Sequence, residues 1–568
     1  MSLEDEILYF AVENALQHGK ALPSPVMNAV LSAHPNLRGE ARSLFQTVKE
    51  VVERVNGMSI SELYDMEKAL IEKYPNLAVK KKEEAARERT LPPLEGAVKG
   101  GVITRFAPNP DAPLHLGNAR ALVLSAEYAR LYDGKFVLRF EDTDPHVKPP
   151  MLEAYDWIRE DVRWLGYKWD VEWIQSQHLP NYYEAVRELI KKGKAYVCTC
   201  SAARFQELRK AGESCPHRNE SVDDALALFE RMIGGGFKEG EAVVRMRTDM
   251  RHPNPALRDF PLMRVVDPNV HPHPMLKEPA WAFPLYNLSA AVDDHLLGIT
   301  HVLRGKEHLT NEEAQAYIYE AMGWKRPVTV QHGRLMLEGI PLSKSQVKKA
   351  LTGGAYNGWD DPRLGTLMAL RRRGFSPRAV IDLILEVGPK PTDATISWDN
   401  LYAINRKYLE PISHRYFVVK NPMEITVEGL DDRVIEVPLH PDHPEMGYRK
   451  IAVKEGRVLV QPEDIEEGKT VRLMDLATIK YLGSGRAKIE DISPERSVEE
   501  GIKRIQWVPK ESMRVTVISP DGTLEALAES NLSSEPVNAT IQMVRWGFAR
   551  IDSFSDDRRS AVLYFAHK

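Results

Sequence analysis

Cysteine is scarce in this chain. There are three in 568 residues, and all three lie between positions 198 and 215. A secreted disulfide scaffold spreads paired cysteines along its length, so that class is excluded. No apolar run approaches the roughly 20 residues that span a bilayer. The opening MSLEDEILYFAVENALQHGK is acidic and amphipathic, with no basic stretch ahead of an apolar core. That predicts no secretory leader and a cytoplasmic protein with no membrane partner. Positive charge is not in excess either. Lys and Arg total 76 against 81 Asp and Glu, a net charge of −5. This excludes a uniformly basic nucleic-acid binder but leaves local basic patches open. There is no internal repeat and no low-complexity tract.

What is present is a succession of different patterns. The length predicts about three to five domains. Residues 1–76 read as helices; Ile7, Phe10, Ala11, Ala15 and Leu16 keep helical spacing. The charged stretch VKKKEEAARERTL, running into Pro92-Pro93, marks a linker or a solvated helix. At Val102 the pattern becomes strand, helix, strand: GGVITRFAPNP, then NARALVLSAEYARLYDG with Gly134 as its stop, then FVLRFEDTDP. This is a βαβ unit, so the fold class is α/β with a parallel, doubly wound sheet. Residues 195–280, with all the cysteines and many prolines, read as an insertion between two halves of that sheet. HLLGITHVLRG resumes it. Thr310 and Glu313 have capping-box spacing and predict a helix start there. From about 415 onward short strands alternate with Gly/Asp/Pro turns, which predicts one or two small barrels.

Two turns carry candidate chemistry. His115-Leu-Gly117-Asn118 joins the first strand to the first helix, where doubly wound sheets bind ligands. A Gly and a polar ring at a helix N-terminus suit a phosphate group, because backbone N–H groups and the helix dipole favour an anion. A solvated His on a Pro-rich turn fits the same residues. Leu342-Ser343-Lys344-Ser345 places a lysine on a loop after the strand GRLMLEG, where a point charge can clamp polyphosphate. The cysteines read Cys198-Thr-Cys200 and Cys215-Pro-His217. Four soft or borderline donors within 20 residues suit a tetrahedral structural Zn2+. Three buried thiols and a surface His are the alternative. Arg371-Arg372-Arg373 suits either RNA phosphates or a solvated basic face.

Taken in order, the two turns resemble the HxGH and KMSKS signatures of class I aminoacyl-tRNA synthetases. VITRFAPNPDAPLHLGNARAL…LRFEDTDP, WAFPLYNLSAAVDDHLLGITHVLRGKEHL and GWDDPRLGTLMALRRRGF resemble the glutamyl and glutaminyl members. The likeness is close over roughly residues 100–415, and the β-rich tail is similar to that of the archaeal glutamyl type. Asn118 stands where the first signature ends in His. Pro341 and Leu342 occupy the first two places of the second, which removes one of its two lysines.

The resemblance implies a domain plan: an N-terminal helical region at 1–95; a Rossmann-type catalytic domain at 96–355 with an inserted acceptor-stem-binding domain at about 195–285; a helical connecting domain at 356–415; and a β-barrel anticodon-binding region at 416–568. It implies glutamate–tRNA ligation, using ATP with Mg2+, L-glutamate, tRNA(Glu) and in some relatives tRNA(Gln); it assigns no oligomeric state. Pro108, His115, Gly117, Asn118, Glu307 and Lys344 would hold ATP, with Ser343 and Lys344 serving the leaving pyrophosphate. Arg105, Ala107, Glu141, Tyr286 and Arg304 would hold glutamate. Glu141 suits the substrate ammonium and Arg304 its side-chain carboxylate. The other reading of Arg304 is a brace for Asp293 or Asp294. The resemblance also implies a zinc site in the insertion. The rival functions are a glutaminyl-tRNA synthetase, a truncated paralogue that glutamylates a modified base, and a catalytically inactive tRNA-binding scaffold.

Overall fold

The computed structural model describes residues 2–18, 20–34, 37, 41–58, 60–74, 91–339 and 344–568. The chain divides into two compact units, residues 1–90 and 91–568. In the first unit, helices Leu3–His18, Pro23–Ala33, Ala41–Asn56 and Ile60–Lys73 enclose a small core. Ile7, Ala11, Val30, Val48 and Val52 are buried there. Asp5 accepts hydrogen bonds from Tyr74 and Lys73, which ties the two ends of the unit together.

The second unit is built on a five-stranded parallel sheet of β1 (Ile103–Phe106), β2 (Lys135–Phe140), β3 (Val171–Ile174), β8 (His301–Gly305) and β9 (Val328–His332). Its order is β3-β2-β1-β8-β9. The chain runs outward from β1 through β2 to β3, then returns to lay β8 on the other side of β1. β1 and β8 therefore border the switch point, and the crevice beyond their C-terminal ends is where such a sheet takes its ligand. Helix Leu116–Leu131 follows β1 and is buried along most of its length. A side chain on Gly134 would collide with the Val102 carbonyl, so the turn from this helix into β2 needs a glycine.

Between β3 and β8 lies a four-stranded antiparallel sheet: β4 (Ala195–Cys198), β5 (Val243–Met246), β6 (Pro261–Val265) and β7 (Ala282–Pro284). Beyond residue 412 two seven-stranded, barrel-like sheets are nested. The chain begins one with β12 (Arg415–Tyr416) and β13 (Val418–Lys420). It builds the second from β14 (Met423–Glu428) through β22 (Trp507–Pro509), with β15 (Arg433–Pro438) and β16 (Tyr448–Val453) forming a separate hairpin. It then completes the first with strands up to β27 (Ser560–His567).

Two local expectations are corrected. Thr310 does not cap a helix: helix Leu309–Met322 starts one residue earlier behind His308, with no side-chain cap. The 3-10 turn Lys306–His308 leads straight into it, so the chain is already helical at Thr310. The arginine run is not a uniform solvated face: Arg371 and Arg372 are partly exposed and ion-paired, and Arg373 is buried. Arg371 pairs with Glu160, and Arg372 with Asp360 and Asp552. Arg373 is buried among Phe375, Trp398 and Tyr402 and donates to the carbonyls of Phe565 and Ala566.

Candidate active site and cysteine cluster

His115 is the N-cap of helix Leu116–Leu131, with extended backbone. Its Nδ1 accepts from the Asn118 N–H at 3.3 Å, and Asn118 Oδ1 accepts from the His115 N–H at 3.3 Å. The Asn in the fourth place of the motif thus closes a reciprocal capping box. A Cβ on Gly117 would lie 2.9 Å from the His115 ring and 3.0 Å from the Leu335 carbonyl, so only glycine lets the three approach. Of the first-turn N–H groups, Leu116 donates to the Gly365 carbonyl and Asn118 to the His115 ring. The helix dipole still favours an anion here, but fewer donors remain for one than an uncapped terminus offers. Arg120, two residues on, is fully buried and donates to the carbonyls of Gly333, Gly388 and Lys390. It ties this helix to the chain that follows β9. Glu307 lies on the 3-10 turn after β8, its carboxylate 4.0 Å from Arg334. Lys344 opens helix Lys344–Thr352. Ser343 and the Lys344 side chain fall outside the described residues, so their assignment rests on sequence alone.

The other side of the crevice is a lattice of buried charges. Half-buried Ala107 and buried Pro108 follow β1, and the Pro108 carbonyl accepts from the Glu141 N–H at 2.9 Å. Arg139 on β2 is fully buried and pairs with Asp294 at 2.6 Å and with Glu141 at 2.9 Å. Arg105 reaches Asp294 at 3.4 Å. Burial pushes the Asp294 carboxyl up, but Arg139 and Arg105 outweigh it and hold the group below its ordinary range. Burial pushes Asp293 up to about 7 against the pull of Arg139, with Gln175 and Tyr182 donating to it.

Arg304 differs from these arginines. It is 6% exposed on β8, and among the described residues it makes no ion pair with Asp293 or Asp294. Its Nη1 donates to neutral Gln315 at 2.9 Å, and its Nη2 is 3.7 Å from Glu312. Its Nε finds no partner among the described residues. The brace reading therefore fails, because Arg139 and Arg105 do that work. Tyr286, at the start of helix Tyr286–Leu296, feels all of these groups: burial and then Glu141 push its hydroxyl up, while Arg105 and Arg304 pull it down. The structure thus gathers Arg105, Glu141, Tyr286 and Arg304 around one crevice. It adds three residues that sequence reading missed. Arg139 stands two residues before Glu141, at the end of β2, which is the signal that could have found it. His308 has its ring 5.3 Å from Tyr286, and Gln315 shows its role only once the helix is placed against β8.

The cysteine motif also closes in space. Cys198 and Cys215 Sγ are 3.7 Å apart, and His217 Nδ1 lies 3.4 Å from Cys200 Sγ and 3.7 Å from Cys215 Sγ. A disulfide needs about 2.05 Å between sulfurs. Tetrahedral zinc, with Zn–S of about 2.3 Å and Zn–N of about 2.0 Å, places its ligand atoms roughly 3.5–3.8 Å apart. The donor set fits that ion in type, number and spacing. Thr199 Oγ1 sits 2.7 Å from His217 Nε2 and fixes the ring so that Nδ1 faces the sulfurs. The hydrogen bond from Cys215 draws the Cys198 thiol down to about 5.

A further cavity of about 370 Å³ is lined from both seven-stranded sheets by Lys420, Gln461, Gln506, Arg545, Trp546 and Lys568 among others. Lys420, Lys568 and the Trp546 indole suit a polyanion with flat rings, while Arg545 is already held by Asp464.

Residues 101–411 match the family model for the catalytic domain of class I tRNA synthetases (E and Q). Residues 413–494 match the anticodon-binding domain of the same group. Proteins named glutamate–tRNA ligase are similar over the full length of both chains: 48% identical in Thermococcus onnurineus, 47% in Thermococcus kodakarensis and 45% in Sulfurisphaera tokodaii.

Proposed function

The chain belongs to the class I tRNA synthetases of the glutamate and glutamine group, and we propose that it joins L-glutamate to tRNA. The observation that carries the choice of glutamate is Arg304, a buried guanidinium facing the crevice whose charge is less fully matched than that of Arg105 or Arg139. A side-chain carboxylate completes it with charge-assisted bonds, whereas the neutral amide of glutamine leaves it short of a counter-charge.

The reaction has two steps. The α-carboxylate of glutamate attacks the α-phosphorus of ATP and expels pyrophosphate, giving glutamyl-adenylate. A terminal ribose hydroxyl of the tRNA then attacks the acyl carbon and expels AMP. Glu141 takes the ammonium, and Tyr286 and Arg105 with Ala107 shape the rest of the amino-acid site. His115, Gly117 and Asn118, with Pro108 and Glu307 beside them, position the nucleotide. Ser343 and Lys344 meet the pyrophosphate, whose growing negative charge fixed donors stabilise. Mg2+ arrives with ATP and supplies charge neutralisation to the phosphates.

The same reading divides the chain at 1–95, 96–355 with the insertion at about 195–285, 356–415 and 416–568. The insertion takes the acceptor stem, with a structural Zn2+ on Cys198, Cys200, Cys215 and His217. The cavity around Trp546 takes an unstacked base of the anticodon end, by stacking and phosphate contacts. Substrates are tRNA(Glu) and, in the non-discriminating form, tRNA(Gln). The chain works in the cytoplasm; among the described residues no helix is long and apolar enough to cross a membrane. The test is ATP–pyrophosphate exchange with glutamate and with glutamine, with and without tRNA, followed by charging of each purified tRNA. Glutamate-dependent exchange is expected. Exchange driven by glutamine alone selects the glutaminyl rival, and tRNA binding without exchange selects the scaffold.

A further inference from the structure

On helix Leu309–Met322, Glu312 and Gln315 stand three residues apart and face Arg304 together. They treat it differently. Gln315 gives Nη1 a neutral acceptor at 2.9 Å, which aims the guanidinium without reducing its charge. Glu312 sets a carboxylate 3.7 Å from Nη2. That carboxylate is itself held in place: Gln331, the residue paired with Arg304 across β8 and β9, donates to Glu312 Oε2 at 2.6 Å, and Arg326 approaches Oε1 at 3.9 Å. Glu312 is also partly open to solvent, so it is not held by Arg304 alone. Asp294 offers Arg304 no equivalent contact, because it is taken up by Arg139 and Arg105.

We infer that Glu312 is a positioning residue that sets amino-acid specificity: its carboxylate rivals the side-chain carboxylate of the substrate for Arg304, and so limits how tightly glutamate is held. This rests on the reading of Arg304 as the glutamate ligand. In the empty crevice Glu312 balances part of the guanidinium charge and holds Nη2 in register. When glutamate enters, the two carboxylates share one cation, and the rival lowers affinity for glutamate more than for glutamine. The neutral acceptor at 315 is the complement of this arrangement, since a second carboxylate there would leave Arg304 fully neutralised.

The prediction has opposite signs at two neighbouring positions. Glu312→Gln removes the rival and lowers the KM for glutamate about two- to fivefold, the scale of a partly exposed ion pair. The change falls on KM rather than kcat, and the glutamate-to-glutamine ratio of kcat/KM rises. Gln315→Glu adds a buried rival and raises that KM on the order of tenfold or more, with the ratio falling. The double exchange Glu312→Gln/Gln315→Glu lies between the two. Mere structural damage would worsen both single variants, so shifts in the same direction, or no shift in either, overturn the inference. If Gln315→Glu does not fold, Glu312→Gln decides alone: a KM that rises or stays constant overturns the proposal. Arg304→Gln, measured alongside, separates the two levels. If it leaves the glutamate-to-glutamine ratio unchanged, the underlying reading of Arg304 fails. If it collapses the ratio while Glu312→Gln does nothing, only the role of Glu312 fails.

Discussion

Arginine appears three times around one crevice, and its meaning each time is set by what already neutralises it. Arg139 and Arg105 are matched to Asp294 and Glu141 and hold the floor rigid. Arg304 has a neutral amide, a carboxylate at 3.7 Å, the Tyr286 hydroxyl beside it and, among the described residues, one N–H without a partner. Glutamate and glutamine have nearly the same shape, so pocket volume separates them poorly and the counter-charge must do it. Replacing Arg304 with Gln is expected to cost glutamate about 3–5 kcal/mol in kcat/KM, the scale for breaking a buried ion pair, and glutamine less. Steady-state kinetics on both amino acids in the presence of tRNA test this; equal losses would mark Arg304 as structural. Lys344 is assigned to the other substrate. Lys344→Ala is expected to lower the rate of adenylate formation by about 10²-fold or more, as loss of a transition-state charge contact does, while tRNA binding persists. Single-turnover activation reads this directly, and an unchanged rate rejects the role.

At the scale of elements, loops supply the chemistry and strands fix it in place. The cysteine motif straddles the end of β4 and the 3-10 turn Pro216–Asn219, two segments that share little apolar surface. Tyr196, Phe205 and Leu208 are the buried apolar residues that cluster with the thiols among the described residues, so a metal cross-link has much to contribute to this corner. One zinc per chain is expected by metal analysis, lost in the double change Cys200→Ser/Cys215→Ser, with earlier proteolysis in the insertion as the second readout. Zinc that survives the double change would reject these ligands. This cluster was legible in the sequence because its four donors are close along the chain. So was the βαβ start, where apolar periodicity switches between 2 and 3.6 within 40 residues. The lattice of Arg139 with Asp293 and Asp294 was not legible, since the arginine on β2 and the two carboxylates on helix Tyr286–Leu296 lie about 155 residues apart and meet only in the folded chain. The arginine run at 371–373 was read only in part, because the aromatic residues and carbonyls that bury Arg373 come from the segments around residues 398–402 and 565–566. The false cap at Thr310 shows the limit of local spacing, because the 3-10 turn before it had already set the helix going.

At the scale of the whole second unit, the catalytic core and the nested β sheets are joined where β27 ends against helix Trp398–Leu409. His567 is 1% exposed there, stacked on Tyr402 with ring centroids 5.0 Å apart. Its Nδ1 lies 2.8 Å from the main-chain oxygen of Lys568 and its Nε2 2.9 Å from Asn405 Nδ2. One neutral tautomer satisfies both contacts: Nδ1–H donates to that oxygen and Nε2 accepts from the amide. A second proton on Nε2 would set donor against donor, and Arg373 and Arg406 lie near enough to oppose the new charge. Burial is the largest cause, and together these effects press the imidazole down from 6.5 to about 4. The unfolded chain therefore binds a proton between pH 6.5 and 4 that the folded chain refuses. The contribution of His567 is complete above pH 6.5 and is lost as pH falls toward 4, up to about 3 kcal/mol. Thermal melts across this range should show Tm falling on the acid side together with loss of tRNA binding, as the sheets part from the core. Asn405→Asp supplies a carboxylate that accepts from the protonated ring and can still accept from the Ser376 N–H as Asn405 does. By raising the folded-state pKa of the ring toward its unfolded value, it should shrink that fall. A fall of unchanged size would show that His567 is not the group holding the two parts together.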